Sequence, residues 1–307
     1  MFKRQSLGLE ISRDGLKMVV LGGKKKAPKL ISFASNSFPD ETMQFSFKEP
    51  NVSNSALFVR TVRETHVKLL TSSARVSVSL PDSVGRVMIL DLETRFKSRQ
   101  EGADIIRWKL KKSFPIDIDS IHLDYQVLRE SETGGMLTLV SVITKEIINQ
   151  YEDLLVEAGL EPNRIDFSTF NLYRLFSDRL EISENSAFLT YFGGILGITI
   201  FYEGMPEFYR AKELPSAGFN TERIFREINS SLAVYRSSHP GHLLSDVYCA
   251  APLQATSDFS ALVAEATGME PYRLQAGDFV TGNNGLYCNG ETLQSLSPAL
   301  GAAIRNL

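Results

Sequence analysis

Cysteine is nearly absent from this sequence. Cys249 and Cys288 are the only two in 307 residues, too few for a disulfide framework, and they point to a reducing compartment. Charge of one sign is missing too. Lysine and arginine number 33 against 36 acids, a formal net charge of -3, so nothing draws the whole molecule toward nucleic acid. The opening MFKRQSLGLEISRDG is charged and interrupted where a secretion signal would need an unbroken apolar stretch, so we expect no cleaved leader and a cytoplasmic chain. SAFLTYFGGILGITIFY, from Ser186 to Tyr202, is uncharged over 17 residues, just short of the roughly 18 that would nominate a membrane helix. Its Gly193-Gly194 pair and β-branched residues instead predict two buried strands meeting at a tight turn.

What is present is a globular composition, 43% hydrophobic and 22% charged, long enough for two domains at about 150 residues each. The chain also says one thing twice. LGLEI and LKMVVL read as paired strands and KLISFAS as a third. Asn54 to Leu70 follows as a helix with Phe58, Val62 and Leu69 on one side, then the strand RVSVSLP. AFLTYF, ILGITIFY and PEFYRAKEL repeat the three strands, Glu222 to Arg236 the helix, and DVYCAAP the fourth strand. Two copies of strand-strand-strand-helix-strand imply two similar α/β halves facing each other across a cleft.

Between the copies lies an insertion, about residues 82–130. Ser98-x-x-Glu101 is a capping-box signal before a basic helix that closes ahead of Pro115, and IHLDYQVL alternates like a half-buried strand. LTLVSVI, a helix from Thr144 to Ala158 and NRIDFSTF then read as a strand-helix-strand unit that finishes the first half. SPALGAAIRNL reads as a closing helix of small residues.

Several of these segments together resemble the PilM family of type IV pilus assembly proteins and, more distantly, the cell-division protein FtsA. GLEISRDGLK stands where the family has G-I-D-I-G-S-S-S-V-K, and FPIDIDSIHLDYQVL resembles its F-P-x-x-x-x-x-x-x-D-Y/F-Q-V-L. TKEIINQYEDLLVEAGLEPNRIDFSTFNL, FYEGMPEFYR, EINSSLAVYRS and SPALGAAIRNL fall in the family's order, so the similarity covers nearly the full length. The resemblance implies a bilobed actin-like fold, a duplicated RNase H-like α/β architecture with a PilM/FtsA-type inserted subdomain. The expected division is 1–180 for the first lobe with its insertion and 181–307 for the second, the C-terminal helix returning toward the first. It also implies ATP and Mg²⁺ in the cleft and a cytoplasmic platform, peripheral to the inner membrane, that grips the N-terminal tail of a PilN-like membrane protein. Contacts with other pilus assembly proteins and with further copies of the chain belong to the same picture.

An actin-like nucleotide site needs two hairpin turns whose N–H groups wrap phosphates, small residues for close approach, and carboxylates around Mg²⁺. On the resemblance, a retained site would use Ser12, Arg13 and Lys17 on one side and Gly193, Gly194 and Gly218 on the other, with no protein-metal ligand. The family's Asp, Gly and first Ser are here Glu10, Ser12 and Arg13. Tyr191 replaces the metal-side Asp of the second turn, and no tyrosine substitutes for a carboxylate near Mg²⁺ at neutral pH. Ala250-Ala251-Pro252 stands where the family has a glycine-rich adenosine turn, adding Cβ atoms and a locked φ. These changes argue against ATP and Mg²⁺ and for a scaffold with a degenerate cleft, a pseudo-ATPase with no catalytic residues. The competing readings are an active actin-family ATPase or phosphotransferase, which would need a carboxylate near the γ-phosphate, and a GspL-like component of type II secretion.

Each residue also has a plainer reading: Glu10 and Arg13 as a turn pair, Lys17 as a solvated strand residue, Gly193-Gly194 as an ordinary hairpin turn. His239-Pro240-Gly241-His242 lacks further metal ligands nearby in sequence and reads as a loop. Cys249 reads as a buried thiol, and Lys24-Lys25-Lys26 as a solvated hairpin tip.

Overall fold

The computed structural model describes residues 5–13, 15–39, 42–111, 114, 116–131, 134–214, 219–282 and 288–307. The first lobe opens with strands β1 (Ser6–Ser12), β2 (Gly15–Lys24) and β3 (Ala27–Asn36), helix α1 (Ser55–Lys68) and strand β4 (Arg75–Leu80). Asn54, where the sequence pattern starts the helix, caps α1 by accepting the Leu57 N–H at 3.1 Å. The chain then makes β5 (Gly85–Leu92), α2 (Arg99–Leu110), β6 (Ile121–Glu130) and β7 (Met136–Thr144), and returns through α3 (Lys145–Glu157), β8 (Glu161–Phe167) and α4 (Ser168–Leu180).

The second lobe contains β9 (Ser186–Phe192), β10 (Ile195–Tyr202), β11 (Met205–Glu213), α5 (Thr221–Ser238), β12 (Asp246–Ala250), α6 (Leu253–Thr267) and β13 (Tyr272–Arg273). β14 (Thr281–Gly282), α7 (Gly290–Ser295) and α8 (Ser297–Ile304) close the chain.

The repetition in sequence is a repetition in topology. The first sheet runs β14-β3-β2-β1-β4-β8 and the second β11-β10-β9-β12-β13. In each, the opening strand is antiparallel to the second and parallel to the fourth. β1 is buried along its whole length, as a central strand covered on both faces must be.

Two sequence expectations are corrected. LTLVSVI lies in β7, the central strand of a separate three-stranded sheet, β5-β7-β6, and not in the first-lobe sheet. The inserted sheet therefore extends from Gly85 to Thr144, beyond the expected end near residue 130, because β7 pairs along its length with both β5 and β6. NRIDFSTF divides: its strand stops at Phe167 and α4 begins at Ser168. The capping box at α2 is also modified. Ser98 Oγ accepts the Glu101 N–H at 3.1 Å, while the Glu101 carboxylate accepts from Lys97 N at 2.7 Å, one residue earlier than in the standard motif.

The small residues of α8 have a packing reason. All eight are buried, and Ser6 Oγ donates to the Ala303 carbonyl at 2.6 Å. A Cβ on Gly8 would meet the Ala299 carbonyl at 2.2 Å, and one on Gly301 would meet the Asn171 carbonyl at 1.9 Å. α8 thus lies against β1 and α4 at a separation that only bare backbone allows. Among the described residues no helix is long and apolar enough to cross a membrane, and Ser186–Tyr202 forms the β9-β10 hairpin.

Candidate functional site: a cleft and a groove

The two hairpin turns meet across the cleft. Gly193 and Gly194 have φ of 56° and 76°, the left-handed pair that a two-residue hairpin turn requires. A Cβ built on Gly193 would sit 3.4 Å from Ser12 Cβ, so at this point the turns are separated by no more than the room for one added methyl. Ser12 is buried, and its hydroxyl lies 3.5 Å from the Gly15 carbonyl within its own turn. Gly194 faces elsewhere: its Cβ would lie 3.6 Å from the Leu214 carbonyl.

Charges in the cleft are matched internally. Arg13 forms an ion pair with Glu213, at the end of β11. Lys17 Nζ donates to the Ser295 carbonyl at 3.0 Å and stands 3.6 Å from the carboxylate of Glu10, which is only 2% exposed. Tyr191 packs edge-on to Phe219 at 5.3 Å and tilted on Phe259 at 6.1 Å. Its position thus belongs to an aromatic cluster. Gly218 lies outside the described residues.

The turn after β12 is closed by side chains from other elements. Gln294 Nε2 donates to the Ala251 carbonyl and Thr256 Oγ1 to that of Pro252, both at 2.9 Å. Ala250 and Ala251 are buried.

At the cleft, then, only the room for one added methyl separates Gly193 from Ser12, the Glu213 carboxylate stands beside Arg13, and aromatic rings surround Tyr191. The sequence reading missed Glu213, Ser295 and Gln294. Glu213 was visible as an acid at the end of PEFYRAKEL, whereas no signal marked Gln294, which reaches the turn from 43 residues away in sequence.

A second concavity lies between the insertion and the first lobe. It is lined by His122 and Asp124 of β6, Val142 of β7, Ile148 of α3, Ile165 of β8 and Phe170 of α4. β6 and β8 are the terminal strands of their two sheets, so both bring strand edges to this region. Asp124 is paired with Arg99, and Asp166 with Arg305 and with Arg174 at 3.3 Å. Burial lowers the Arg174 pKa, opposed by Asp166. The result is a small concavity of about 100 Å³ in which apolar residues lie beside charged ones.

The other candidate residues are structural. His242 Nδ1 lies 2.9 Å from the Glu207 carboxylate, its ring stacks on Tyr202 at 3.7 Å, and His239 stacks on Tyr235 at 4.7 Å. Cys249 is 1% exposed, and burial pushes its thiol up to about 11, far from a nucleophile's range.

A family model described as type IV pilus assembly protein PilM matches residues 8–188. A chain from a solved PilM–PilN type IV pilus biogenesis complex is 18% identical with a TM-score of 0.81, over 99% of both chains. The cytoplasmic domain of EpsL, an inner-membrane component of the Vibrio cholerae type II secretion system, is 10% identical with a TM-score of 0.53, over 96% of this chain and 94% of that one. A Bacteroides thetaiotaomicron protein of unknown function with an actin-like ATPase fold is 14% identical with a TM-score of 0.54, over 95% of both. No curated protein matches the sequence. The likenesses agree on the fold, the actin-like ATPase architecture.

Proposed function

Because the chain belongs to the type IV pilus assembly protein PilM family, we propose that it is a cytoplasmic scaffold of an inner-membrane pilus assembly platform. In this reading it docks the cytoplasmic tail of a PilN-like membrane protein and hydrolyses no ATP. The observation that carries the reading is the groove between the insertion and the first lobe, with the edges of β6 and β8 beside it. An extended tail laid there gains main-chain hydrogen bonds from a strand edge, and the apolar floor selects its side chains. The solved relative of matching architecture is itself a PilM–PilN complex, which supports the same assignment.

The cleft supports a scaffold over a phosphotransferase. A phosphotransferase needs room for phosphates and a carboxylate aimed at the metal, and here the close approach of the turns, the Arg13–Glu213 pair and the Tyr191 cluster hold that ground. A role like that of the type II secretion component is the second reading, favoured by the likeness to the EpsL cytoplasmic domain.

The test is titration of the full chain with the N-terminal peptides of a PilN-like protein and of a type II secretion partner. Micromolar binding of the PilN-like peptide is expected, about 8 kcal/mol. Binding of the secretion peptide alone would transfer the assignment. Mg-dependent ATP hydrolysis should remain at background, and a turnover abolished by Lys17→Ala would overturn the scaffold reading of the cleft.

A further inference from the structure

β11 is the outermost strand of the second-lobe sheet, and three separate contacts tie it to the rest of the molecule. At its end, Glu213 pairs with Arg13 from the β1-β2 turn. Four residues earlier, on the same face, the hydroxyl of Tyr209 donates to Asp82, in the turn after β4. The other oxygen of Asp82 accepts the Thr169 N–H at 3.2 Å, and the Tyr209 ring lies 5.6 Å from Phe170. At its start, Arg129 from the end of β6 stands 3.7 Å from Glu207 and 3.5 Å from Glu203 in the preceding turn.

The local sequence explains how one strand faces two ways. Residues 208, 210 and 212 turn toward α5: Phe208 packs on Tyr235 at 6.0 Å, Arg210 donates to Ser231 at 3.1 Å, and Lys212 pairs with Glu227 at 3.2 Å. The alternation of a strand then sends 209 and 213 the other way. A bulge against Ile200 and Phe201 leaves Glu207 outside the pairing register, which frees it to reach both His242 and Arg129.

We propose that β11 is a built-in lock: Glu213, Tyr209 and Glu207 fasten the second lobe to the first-lobe turns and to the insertion, so the lobes keep one arrangement without nucleotide. In a nucleotide-binding member of such a fold, phosphates between the two turns would bridge the lobes. Here the same span is bridged by the Arg13–Glu213 pair, beside a point where a methyl added to Gly193 would already touch Ser12. The lock leaves the groove with constant walls, because Phe170, near the start of α4, both packs on Tyr209 and lines the groove. It is independent of which peptide the groove accepts, and its failure would leave the docking assignment standing.

Hydrogen exchange of the full chain, with and without Mg-ATP, tests the lock at segments 7–20 and 186–200. The wild type should exchange identically in both conditions. Arg13→Glu, Glu213→Arg and Tyr209→Phe should each exchange about two- to fivefold faster at both turns, the range of a partly exposed pair, with unchanged circular dichroism. The combined Arg13→Glu/Glu213→Arg variant should return to the wild-type rate. Arg13 and Glu213 are partly exposed, so the charge swap decides the matter if Tyr209→Phe fails to fold. Slower wild-type exchange on adding Mg-ATP would overturn the lock. So would single variants at the wild-type rate, or a combined variant no slower than the singles.

Discussion

The carboxamide of Gln294 is bonded to the backbone of Ala251, its Nε2 2.9 Å from that carbonyl. The same nitrogen lies 3.2 Å from the Leu274 carbonyl, and Oε1 accepts the Ala276 N–H at 2.7 Å. One side chain from α7 thus satisfies three backbone groups, and it is 2% exposed. Gln294→Ala would remove all three bonds, leaving the Ala251 carbonyl only the Thr256 hydroxyl at 3.2 Å, and should cost about 2 kcal/mol. Urea denaturation measures the loss, and a change within experimental error would mean that other donors reach these groups.

Asp82 gives a pH-dependent prediction. Burial raises its carboxyl pKa, opposed by the bonds from Tyr209 and Thr169, and burial together with Asp82 raises the Tyr209 hydroxyl. A carboxyl whose folded pKa is raised contributes stability that is complete below the ordinary range of about 4 and is lost as pH rises through the folded value. Asn at this position cannot ionise. The melting temperature of Asp82→Asn relative to wild type should therefore climb between pH 4 and pH 8, and a constant difference would refute the assignment.

Gly301→Ala should destabilise the fold by about 3 kcal/mol, the overpacking cost of a methyl forced into a closed interface. Its Cβ would stand 1.9 Å from the Asn171 carbonyl, a backbone atom that cannot rotate aside. Gly290→Ala serves as the control, since nothing lies within 4 Å of that position.

Peptide docking should respond to the floor of the groove and not to the outer face of the insertion. Ile165→Glu should weaken binding of the PilN-like tail at least about tenfold, or 1.4 kcal/mol. Trp108→Ala, on α2 where the indole is 65% exposed, should bind as wild type. Equal losses in both variants would place the tail elsewhere.

Thiol labelling separates the two cysteines. Cys249 should resist modification in the native protein at pH 8 and react only on unfolding, because it is 1% exposed and its thiol is pushed up to about 11. Cys288 is partly exposed and should react first.

The sequence by itself determined the local order of the chain: the repeated run of three strands, a helix and a strand, the helix beginning at Asn54 and the hairpin at Gly193-Gly194. These are short-range properties, in which periodicity and turn chemistry act within about ten residues. Only the tertiary structure decided which sheet each strand joined. β7 reads as a buried strand in either position, and its place between β5 and β6 is set by pairing across the insertion. Tyr191 and Ala250-Ala251-Pro252 stood out in the sequence, but the partners they and their neighbours meet did not. Glu213, Ser295 and Gln294 meet Arg13, Lys17 and Ala251 from 200, 278 and 43 residues away, contacts that no local pattern encodes because chain folding alone brings such partners together.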